Sequence, residues 1–190
     1  MDKFVEILVA ILAFLVFPGF VFMAVVGMLV SWVDRKVTAR VQYRVGPPVL
    51  QPLWDFLKLL GKETVMPRGA SVAAFFGAPL IGLAGVILAG TMLGMAVFFK
   101  AGFYGDLIVV IYLLMLPSLA VIMGGIASKN PLASVGAGRE MKLVVGYELP
   151  FLLAIAVPVV KSGGMLRLTE LVRYQAQEGA FAGSLSGLIA

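Results

Sequence analysis

Long apolar runs divide the chain into four segments, each of which is long enough to cross a lipid bilayer. A helix rises about 1.5 Å per residue, so a hydrocarbon core of about 30 Å takes about 20 residues to cross. The fourth run must begin near Met141, because residues 149–160 alone are too short. The pattern therefore predicts four membrane-spanning helices, at residues 4–33, 72–99, 107–127 and 141–160.

The first apolar run is longer than a crossing requires. Its length of about 30 residues corresponds to about 45 Å of helix, which implies a tilt or a helical extension out of the membrane. Pro18 and Gly19 near its middle predict a kink. Asp2 and Glu6 flank Lys3, and the run is too long for the core of a signal peptide, so we expect a retained span.

One long polar segment, residues 34–70, separates the first two spans, and we call it the polar connection. Its first half is basic and ends in Gly46-Pro47-Pro48, through which no regular helix can continue. In its second half, apolar and polar residues occupy opposite sides of a helical pattern: Leu53, Trp54, Leu57 and Leu60 against Gln51, Asp55, Lys58 and Lys62. This pattern predicts an amphipathic helix over residues 50–60, lying in the membrane interface with its tryptophan at headgroup depth.

The C-terminal part of the chain shows a helix start and a mixed tail. Asn130 followed by Pro131 is typical of an N-cap and a first helical residue. Residues 161–190 are expected to form an interfacial tail, which contains the pair Gly163-Gly164 and ends in a weak run of small residues. Within this tail, a short amphipathic piece is marked by Met165, Leu168, Leu171 and Val172.

Composition agrees with this pattern. Hydrophobic residues make up 61% of the chain, charged residues make up 13%, and the mean hydropathy is +1.04, whereas a soluble domain is about half apolar and about a quarter charged. The sequence therefore predicts an all-α integral membrane protein with about four transmembrane helices and a cytoplasmic-side interfacial amphipathic helix. The net charge of +5 does not indicate binding to nucleic acid, because the basic residues cluster next to the spans.

The distribution of basic residues predicts the orientation in the membrane. The polar connection holds seven of the fifteen basic residues, and the next loop holds Lys100 alone. The loop after the third span holds Lys129, Arg139 and Lys142. Because basic loops remain in the cytoplasm, we expect the polar connection to be cytoplasmic and the N-terminus to lie outside.

Two missing residue types restrict the chemistry of the chain. There is no cysteine, which excludes disulfides, thiol chemistry and ligation of an iron–sulfur cluster. There is no histidine, which removes the usual haem and transition-metal ligand and the commonest general base. No phosphate-binding loop of the form G-x-x-x-x-G-K-S/T is present. Any redox centre or catalytic metal must therefore belong to a partner, and we predict no metal site and no catalytic residue in this chain.

Glu148 is the acid that the pattern places inside a span. An ionisable group there costs at least about 2.5 kcal/mol on insertion scales, so it is retained when it is paired, hydrated or functional. It is a candidate relay carboxylate for a proton or a cation; alternatively, Pro150 breaks the helix and Glu148 caps the freed backbone N–H groups. Glu140, about 12 Å away along the same helix, is a second candidate for ion translocation, although Arg139 and Lys142 offer it simple ion pairs.

The polar connection holds the other candidate residues. Arg35 and Lys36 are explained as cytoplasmic anchors, but Asp34 beside them is not. Arg40 and Arg44 would suit binding to anionic lipid or to a docking protein. On the amphipathic helix, Asp55, Lys58 and Lys62 would also suit a salt-bridged surface that faces solvent. The candidates for docking, or for a quinone-chamber-like surface, are Asp34, Arg35, Arg40, Arg44, Asp55 and Lys58.

Four motifs follow one another in order between residues 33 and 150. They are VDRKVTARVQYRVGP at 33–47, LQPLWDFLKLLGKE at 50–63, GGIAS at 124–128, and GAGR at 136–139 with GYE at 146–148. Together they resemble the signatures of the H subunit of complex I, also called mitochondrial subunit 1: E-R-K/R-x-x-x-R-x-Q-x-R-x-G-P, L-Q-P-x-x-D-x-x-K-L-x-x-K-E, G-G-W-x-S, and G-A-x-R with S-Y-E. Positions that match in this resemblance are Asp34, Arg35, Arg44, Asp55, Glu140 and Glu148.

Departures from these signatures resemble one branch of the family. Gly-Pro-Pro replaces Gly-Pro-Asn, Asp34 replaces Glu, and the sequences around Glu140 and Glu148 are similar to the homologue in membrane-bound [NiFe] hydrogenases and related ion-pumping complexes. The resemblance implies a non-redox membrane subunit in a prokaryotic cell (inner) membrane. It would anchor hydrogenase-like and iron–sulfur subunits, which hold the NiFe centre and the clusters. It would also couple redox chemistry to proton or sodium translocation through antiporter-like membrane subunits. In complex I itself the same subunit forms the quinone chamber, so bound quinone is the alternative.

The family has about eight spans and an acidic cytoplasmic loop, so we expect this chain to be a fragment, a split subunit or a shortened relative. Two other readings remain open at this point. A stand-alone transporter would normally show internal repeats, and we find none. A purely structural anchor would tolerate Glu148→Gln without loss of ion coupling.

Overall fold

The computed structural model describes residues 3–179 and residue 183, and among these residues it contains no strand. The described residues form seven helices: α1 Lys3–Leu15, α2 Phe20–Val41, α3 Gln51–Leu60, α4 Val72–Phe98, α5 Asp106–Ala127, α6 Pro131–Lys161 and α7 Leu168–Glu178. Four segments are long and apolar enough to cross a membrane: Ile7–Val41, Val72–Phe98, Asp106–Ala127 and Pro131–Lys161. The all-α fold and the number of spans are therefore confirmed. The chain divides into two compact units between Val65 and Met66.

In the first unit, the first apolar run is broken into two helices rather than kinked. Residues 16–19 leave the helix between α1 and α2, where Pro18 is fully buried. A Cβ at Gly19 would overlap the backbone carbonyl of Phe14, so the close return of the chain requires glycine there. Beyond the break, α2 runs to Val41 and thus extends well into the polar connection. The helix thus continues past residue 33, where the first span was predicted to end, and Asp2 lies outside the described residues.

A tight reversal follows α2. Tyr43 has a φ of +56° and donates its N–H to the carbonyl of Arg40 at 3.1 Å, while Arg44 donates to Ala39 at 2.7 Å. This is the pair of bonds of a Schellman motif, with tyrosine in the position that glycine usually fills. The returning chain is held against α2 where Trp32 Nε1 donates to the carbonyl of Pro47 at 3.2 Å. The amphipathic helix predicted over residues 50–60 then follows as α3, and it is confirmed.

In the second unit, α4 and α5 pack closely through small residues. A Cβ on Gly82 would lie 2.9 Å from the Cβ of Ala120, and a Cβ on Gly85 would lie 2.7 Å from the Cβ of Leu116. Glycine therefore sets how near the two helices approach, as it does at many helix contacts in membranes. Both helices continue through an internal proline, Pro79 in α4 and Pro117 in α5.

The longest helix of the second unit is α6, which has 31 residues and begins where the sequence predicted. The Asn130 side chain accepts a hydrogen bond from the N–H of Leu132 at 3.0 Å, which confirms the predicted N-cap. The span predicted from Met141 belongs to this longer helix. The helix also continues through Pro150. The prediction of a helix break there is therefore wrong, and the capping role of Glu148 depended on that break. Proline removes one backbone bond, but α6 tolerates the loss.

The amphipathic piece predicted in the tail is the helix α7. Its buried residues Leu168 and Leu171 join a cluster with Ala96 of α4 and with Leu107 and Val110 of α5. The packing of this apolar side explains the spacing seen in the sequence. Of the small-residue run predicted beyond α7, residues 180–182 and 184–190 lie outside the described residues.

Candidate functional site

A hydrogen-bonded group in the polar connection joins α2 to α3. Arg35 donates to Asp55 Oδ2 at 2.8 Å, and the Gln51 side chain donates to Asp55 Oδ1 at 2.9 Å. Both oxygens of the carboxylate are therefore engaged, and three motif residues meet at one point. The hydrogen bond from Arg35, followed by that from Gln51, holds the pKa of Asp55 below its usual value near 3.8. The side chains of Arg35 and Asp55 are 48% and 36% exposed, so their pair defines geometry more than it stabilises the fold.

The remaining candidates of the connection lie apart from this group. Asp34, Arg40, Arg44 and Lys58 are all exposed, and within the described part of the chain they form no ion pair shorter than 4.0 Å. Arg40 and Arg44 flank the reversal after α2, which also exposes an apolar side: Val41 is 74%, Tyr43 99% and Val45 97% exposed. The structure therefore separates the predicted set into a fixed pair and a group of exposed charges.

Glu148 lies on α6 at the edge of an apolar cavity of about 220 Å³. The wall of the cavity is formed by Ile111, Leu114 and Met115 of α5 and by Tyr147 and Phe151 of α6. The side chain is half-buried, and its carboxylate makes no hydrogen bond or ion pair with any residue that the structure describes. Since the helix does not break at Pro150, no freed N–H group is capped here, and the capping role is wrong.

Glu140, eight residues earlier on the same continuous helix, is also half-buried. It does not line the cavity of Glu148. Neither Arg139 nor Lys142 comes within 4.0 Å of it to form the expected ion pair, as far as the described residues show. The continuous helix keeps the two acids about 12 Å apart along its axis. Their roles in ion translocation remain predictions.

Two further polar features of the second unit were not predicted from the sequence. The hydroxyls of Ser118 and Tyr147 lie 2.8 Å apart and link α5 to α6 at the cavity. Asp106, at the start of α5, is only 2% exposed, and its Oδ1 accepts a hydrogen bond from the N–H of Leu168 at 2.7 Å. The residues of each pair are far apart in sequence, so the local pattern carried no signal for either contact.

The described residues contain no group of three or more histidine, cysteine, aspartate or glutamate side chains that could hold a metal ion. In the part of the chain that the structure describes, the polar features are thus single carboxylates, hydroxyls and exposed bases. Such groups can carry a proton, attract an ion or contact a charged partner, but they cannot ligate a redox cluster in the usual way.

Comparisons with known proteins identify the family of the chain. A family model described as NADH dehydrogenase matches residues 10–190. The H subunit of the NADH-quinone oxidoreductase of Thermomicrobium roseum is 35% identical, over 83% of this chain and 51% of the relative. The corresponding H subunit of Dehalococcoides mccartyi strain CBDB1 is 34% identical, over 83% of this chain and 46% of the relative. The chain thus spans about half the length of these curated relatives.

A solved structure is similar in fold as well as in sequence. It is a chain of the membrane-bound sulfane sulfur reductase, an archaeal respiratory membrane complex, with a TM-score of 0.75 and 31% identity. The similarity covers 89% of this chain and 55% of that chain. From the family match, these relatives and its own four apolar segments, we conclude that the chain is a multi-pass membrane protein that belongs to the NADH dehydrogenase family, together with the H subunits of NADH-quinone oxidoreductases.

Proposed function

We propose that the chain is a membrane subunit of a complex-I-like respiratory complex, in which it holds no redox centre. It anchors the electron-transfer arm and couples the redox chemistry of that arm to the translocation of protons or sodium ions. The observation that carries this proposal is the position of Glu148, a carboxylate without a partner among the described residues at the edge of an apolar cavity. Such a position is costly in a membrane span, and function is the common reason to keep it.

The polar connection is the proposed attachment surface for the arm. The pair of Arg35 and Asp55 fixes α3 against α2, while Asp34, Arg40, Arg44 and Lys58 remain exposed for contact with a partner. Charges in this arrangement guide association and set its orientation. With this surface in the cytoplasm, the N-terminus lies outside the cell membrane.

The partners follow from the resemblance and from the chemistry that the chain lacks. Without cysteine or histidine, the electron carriers belong to other subunits, namely iron–sulfur subunits and a hydrogenase-like subunit with a NiFe centre. Antiporter-like membrane subunits complete the ion pathway. The solved relative is named a sulfane sulfur reductase, which supports the respiratory membrane complex while leaving the reaction of the arm to be measured.

A second candidate is the quinone-chamber subunit of a respiratory NADH– or ferredoxin–quinone oxidoreductase. It is favoured by the curated relatives, which are named as H subunits of NADH-quinone oxidoreductases. In this case the exposed residues of the connection line the headgroup side of the chamber rather than an attachment surface. Quinone would then be held by this chain together with its neighbours.

Purification of the tagged chain in mild detergent separates the two candidates. The co-purifying material is assayed for nickel, iron–sulfur, flavin and quinone. Nickel with iron–sulfur and no quinone supports the hydrogenase-like complex, whereas flavin with quinone supports the second candidate. Iron–sulfur without nickel, flavin or quinone supports the proposed arm with another reaction. A chain that purifies alone as a stable oligomer contradicts both candidates.

A further inference from the structure

The reversal after α2 exposes three apolar side chains, and we call residues 41–45 the tip loop. Tyr43 and Val45 are almost completely exposed, and Val41 is largely exposed. A side chain that supports the fold packs against its neighbours, and these three do not. Neighbouring exposed apolar side chains with polar residues around them are typical of an interaction site.

Tyr43 is also a residue whose backbone is strained by the fold. Its φ of +56° lies in the left-handed region, which is unfavourable for residues with a Cβ and which glycine adopts freely. Glycine is the usual residue at this position of a Schellman motif. A glycine would therefore make the folded chain more stable, so folding does not explain the tyrosine. A side-chain contact with another molecule would explain it.

Contacts with α2 hold the tip loop in place. The Lys36 ammonium donates to the carbonyl of Gly46 at 3.5 Å, just before Pro47, which accepts the bond from Trp32. A Cβ on Gly46 would lie 2.7 Å from Lys36 Cδ, so the returning chain runs close along α2. Tyr43 is thus presented on a preformed loop, which lowers the entropy that binding costs.

The length of α2 carries the tip loop past the membrane interface. Asp34 is the first charged residue after the apolar run, and α2 continues from there to Val41, which is about 10 Å of helix. The headgroup layer on each side of the hydrocarbon core is about 5–7 Å thick. Arg35, which pairs with Asp55 of α3, is next to Asp34. The helix α3 can therefore rest in the interface while the tip loop stands above it, which favours a protein over lipid as the partner.

Two arginines flank the apolar side chains of the tip loop. Arg40 and Arg44 are exposed, and among the described residues neither forms an ion pair shorter than 4.0 Å. A guanidinium binds a carboxylate through two parallel hydrogen bonds. Tyrosine and arginine are both enriched among the few residues that dominate binding at protein interfaces. The partner surface that fits the tip loop is therefore an apolar pocket with carboxylates at its rim.

We infer that Tyr43 is an anchor for the cytoplasmic arm, and that its ring enters an apolar pocket with an acidic rim on a subunit of that arm. The inference rests on the proposed function, because it requires an arm that docks on the polar connection. It assigns the main contact to an aromatic side chain at the end of α2 rather than to the exposed charges alone. Binding then uses a residue that folding disfavours.

Tyr43→Gly separates binding from stability, because the substitution should move the two in opposite directions. Release of the left-handed strain is expected to raise the thermal unfolding midpoint of the purified chain in detergent by a few degrees. Loss of the ring is expected to raise the dissociation constant of the arm about tenfold or more. That constant is measured by rebinding of salt-released arm to membranes that contain the tagged chain. Tyr43→Phe keeps the ring and should bind the arm nearly as well as the unaltered chain.

Lys100→Gly is the matched control for the strain. Lys100 has a φ of +54° and follows α4 at the end away from the polar connection. This variant should also unfold at a higher temperature, while its binding of the arm should not change. Unchanged arm binding in Tyr43→Gly overturns the anchor. A loss of stability in Tyr43→Gly together with an increase in Lys100→Gly also overturns it, because the ring would then support the fold.

A single cysteine in the tip loop reports what covers it, because the chain has no cysteine of its own. Gln42→Cys, at an exposed position beside Tyr43, leaves the ring in place. The complex is studied in lipid nanodiscs, which leave both faces of the bilayer accessible to a charged maleimide. Labelling of this chain is expected to be slow while the arm is bound and fast after salt has removed the arm. Tyr104→Cys, at a largely exposed residue after α4, should react equally fast in both states.

Two labelling results contradict the inference. Fast labelling of Gln42→Cys with the arm bound means that the arm does not cover the tip loop. Slow labelling after the arm has left means that lipid or a membrane subunit covers it instead. The proposed function fails separately, when the tagged chain purifies without any arm. An arm that binds Tyr43→Gly normally but is loosened by Arg44→Ala overturns the anchor and leaves the proposed function intact.

Discussion

Two regions of the second unit each contain one acid, and their surroundings differ. Asp106 is 2% exposed and accepts a 2.7 Å hydrogen bond from the backbone of α7. Glu148 is half-buried at an apolar cavity and has no partner among the described residues. A buried acid whose bond ties two elements together has a structural reason to exist. An acid in a span without such a bond destabilises the span and holds no element in place. This is the basis for assigning it a function.

The comparison predicts that the free energy of unfolding falls most for Asp106→Ala. This change leaves the N–H of Leu168 buried without an acceptor, which costs about 1–3 kcal/mol. Asp106→Asn is expected to cost less, because its side-chain oxygen can still accept the bond. Thermal unfolding of the purified protein in detergent measures both. Equal stability of the alanine variant and the unaltered protein would show that the bond does not hold α7.

The hydroxyl pair beside Glu148 is expected to have an intermediate effect. Ser118→Ala and Tyr147→Phe each remove one bond between α5 and α6, for a loss of about 0.5–1.5 kcal/mol. Because both variants break the same 2.8 Å contact, the double variant should lose little more than either single one. Additive losses in this double-mutant cycle would mean that the two hydroxyls act independently.

The attachment surface is expected to affect the complex rather than the stability of the chain. Arg44→Ala and Asp55→Ala should loosen the cytoplasmic arm, seen as its loss from the purified complex when salt is raised, because salt screens surface charges. Arg173→Ala, which removes an exposed base on α7 outside the polar connection, is the control. Unaltered co-purification under salt would contradict docking at this surface.

The pH dependence of this surface has a defined direction. Arg35 and Gln51 hold the pKa of Asp55 below its usual value near 3.8. A lowered pKa in the folded state means that the contribution of the pair is complete above that usual value and is lost as the pH falls through the lowered one. Arm attachment should therefore be insensitive to pH across the neutral and mildly acidic range. A loss of the arm near neutral pH would assign its attachment to other groups.

The smallest effect on stability is expected for Glu148→Gln. The substitution removes an ionisable group from an apolar region and breaks no bond with the described residues, so unfolding should be unchanged or slightly more difficult. Thermal unfolding of the purified protein measures this effect, and Asp106→Asn is the matched variant because it also changes an acid to its amide. A clear loss of stability would reveal an unseen structural partner and weaken the functional assignment.

Local patterns predicted most of the helices but few of the contacts between them. The amphipathic spacing predicted α3, and Asn130 with Pro131 predicted the start of α6, because both signals lie within a few residues of what they determine. The break at Pro18 was stronger than the predicted kink, since only the close approach of Gly19 to an earlier carbonyl reveals how far the chain turns.

The same reasoning explains what the sequence predicted about the site. Glu148 was identified because an acid in an apolar run is visible without any structure. Asp106 was missed because its partner, Leu168, is 62 residues away, and an acid that begins a span looks like an ordinary loop residue. The grouping of Arg35, Gln51 and Asp55 likewise needed the reversal at Tyr43, a position where the sequence lacks the usual glycine.

The central claim is that Glu148 couples electron transfer to ion movement. It is tested most directly in membrane vesicles that contain the complex, by measuring ion uptake and electron transfer together. Glu178→Gln, at an exposed glutamate on α7, is the control. Our account predicts that Glu148→Gln assembles normally but loses most of its ion uptake per electron. Unchanged uptake per electron in a fully assembled Glu148→Gln complex would contradict the account and leave this chain a structural anchor.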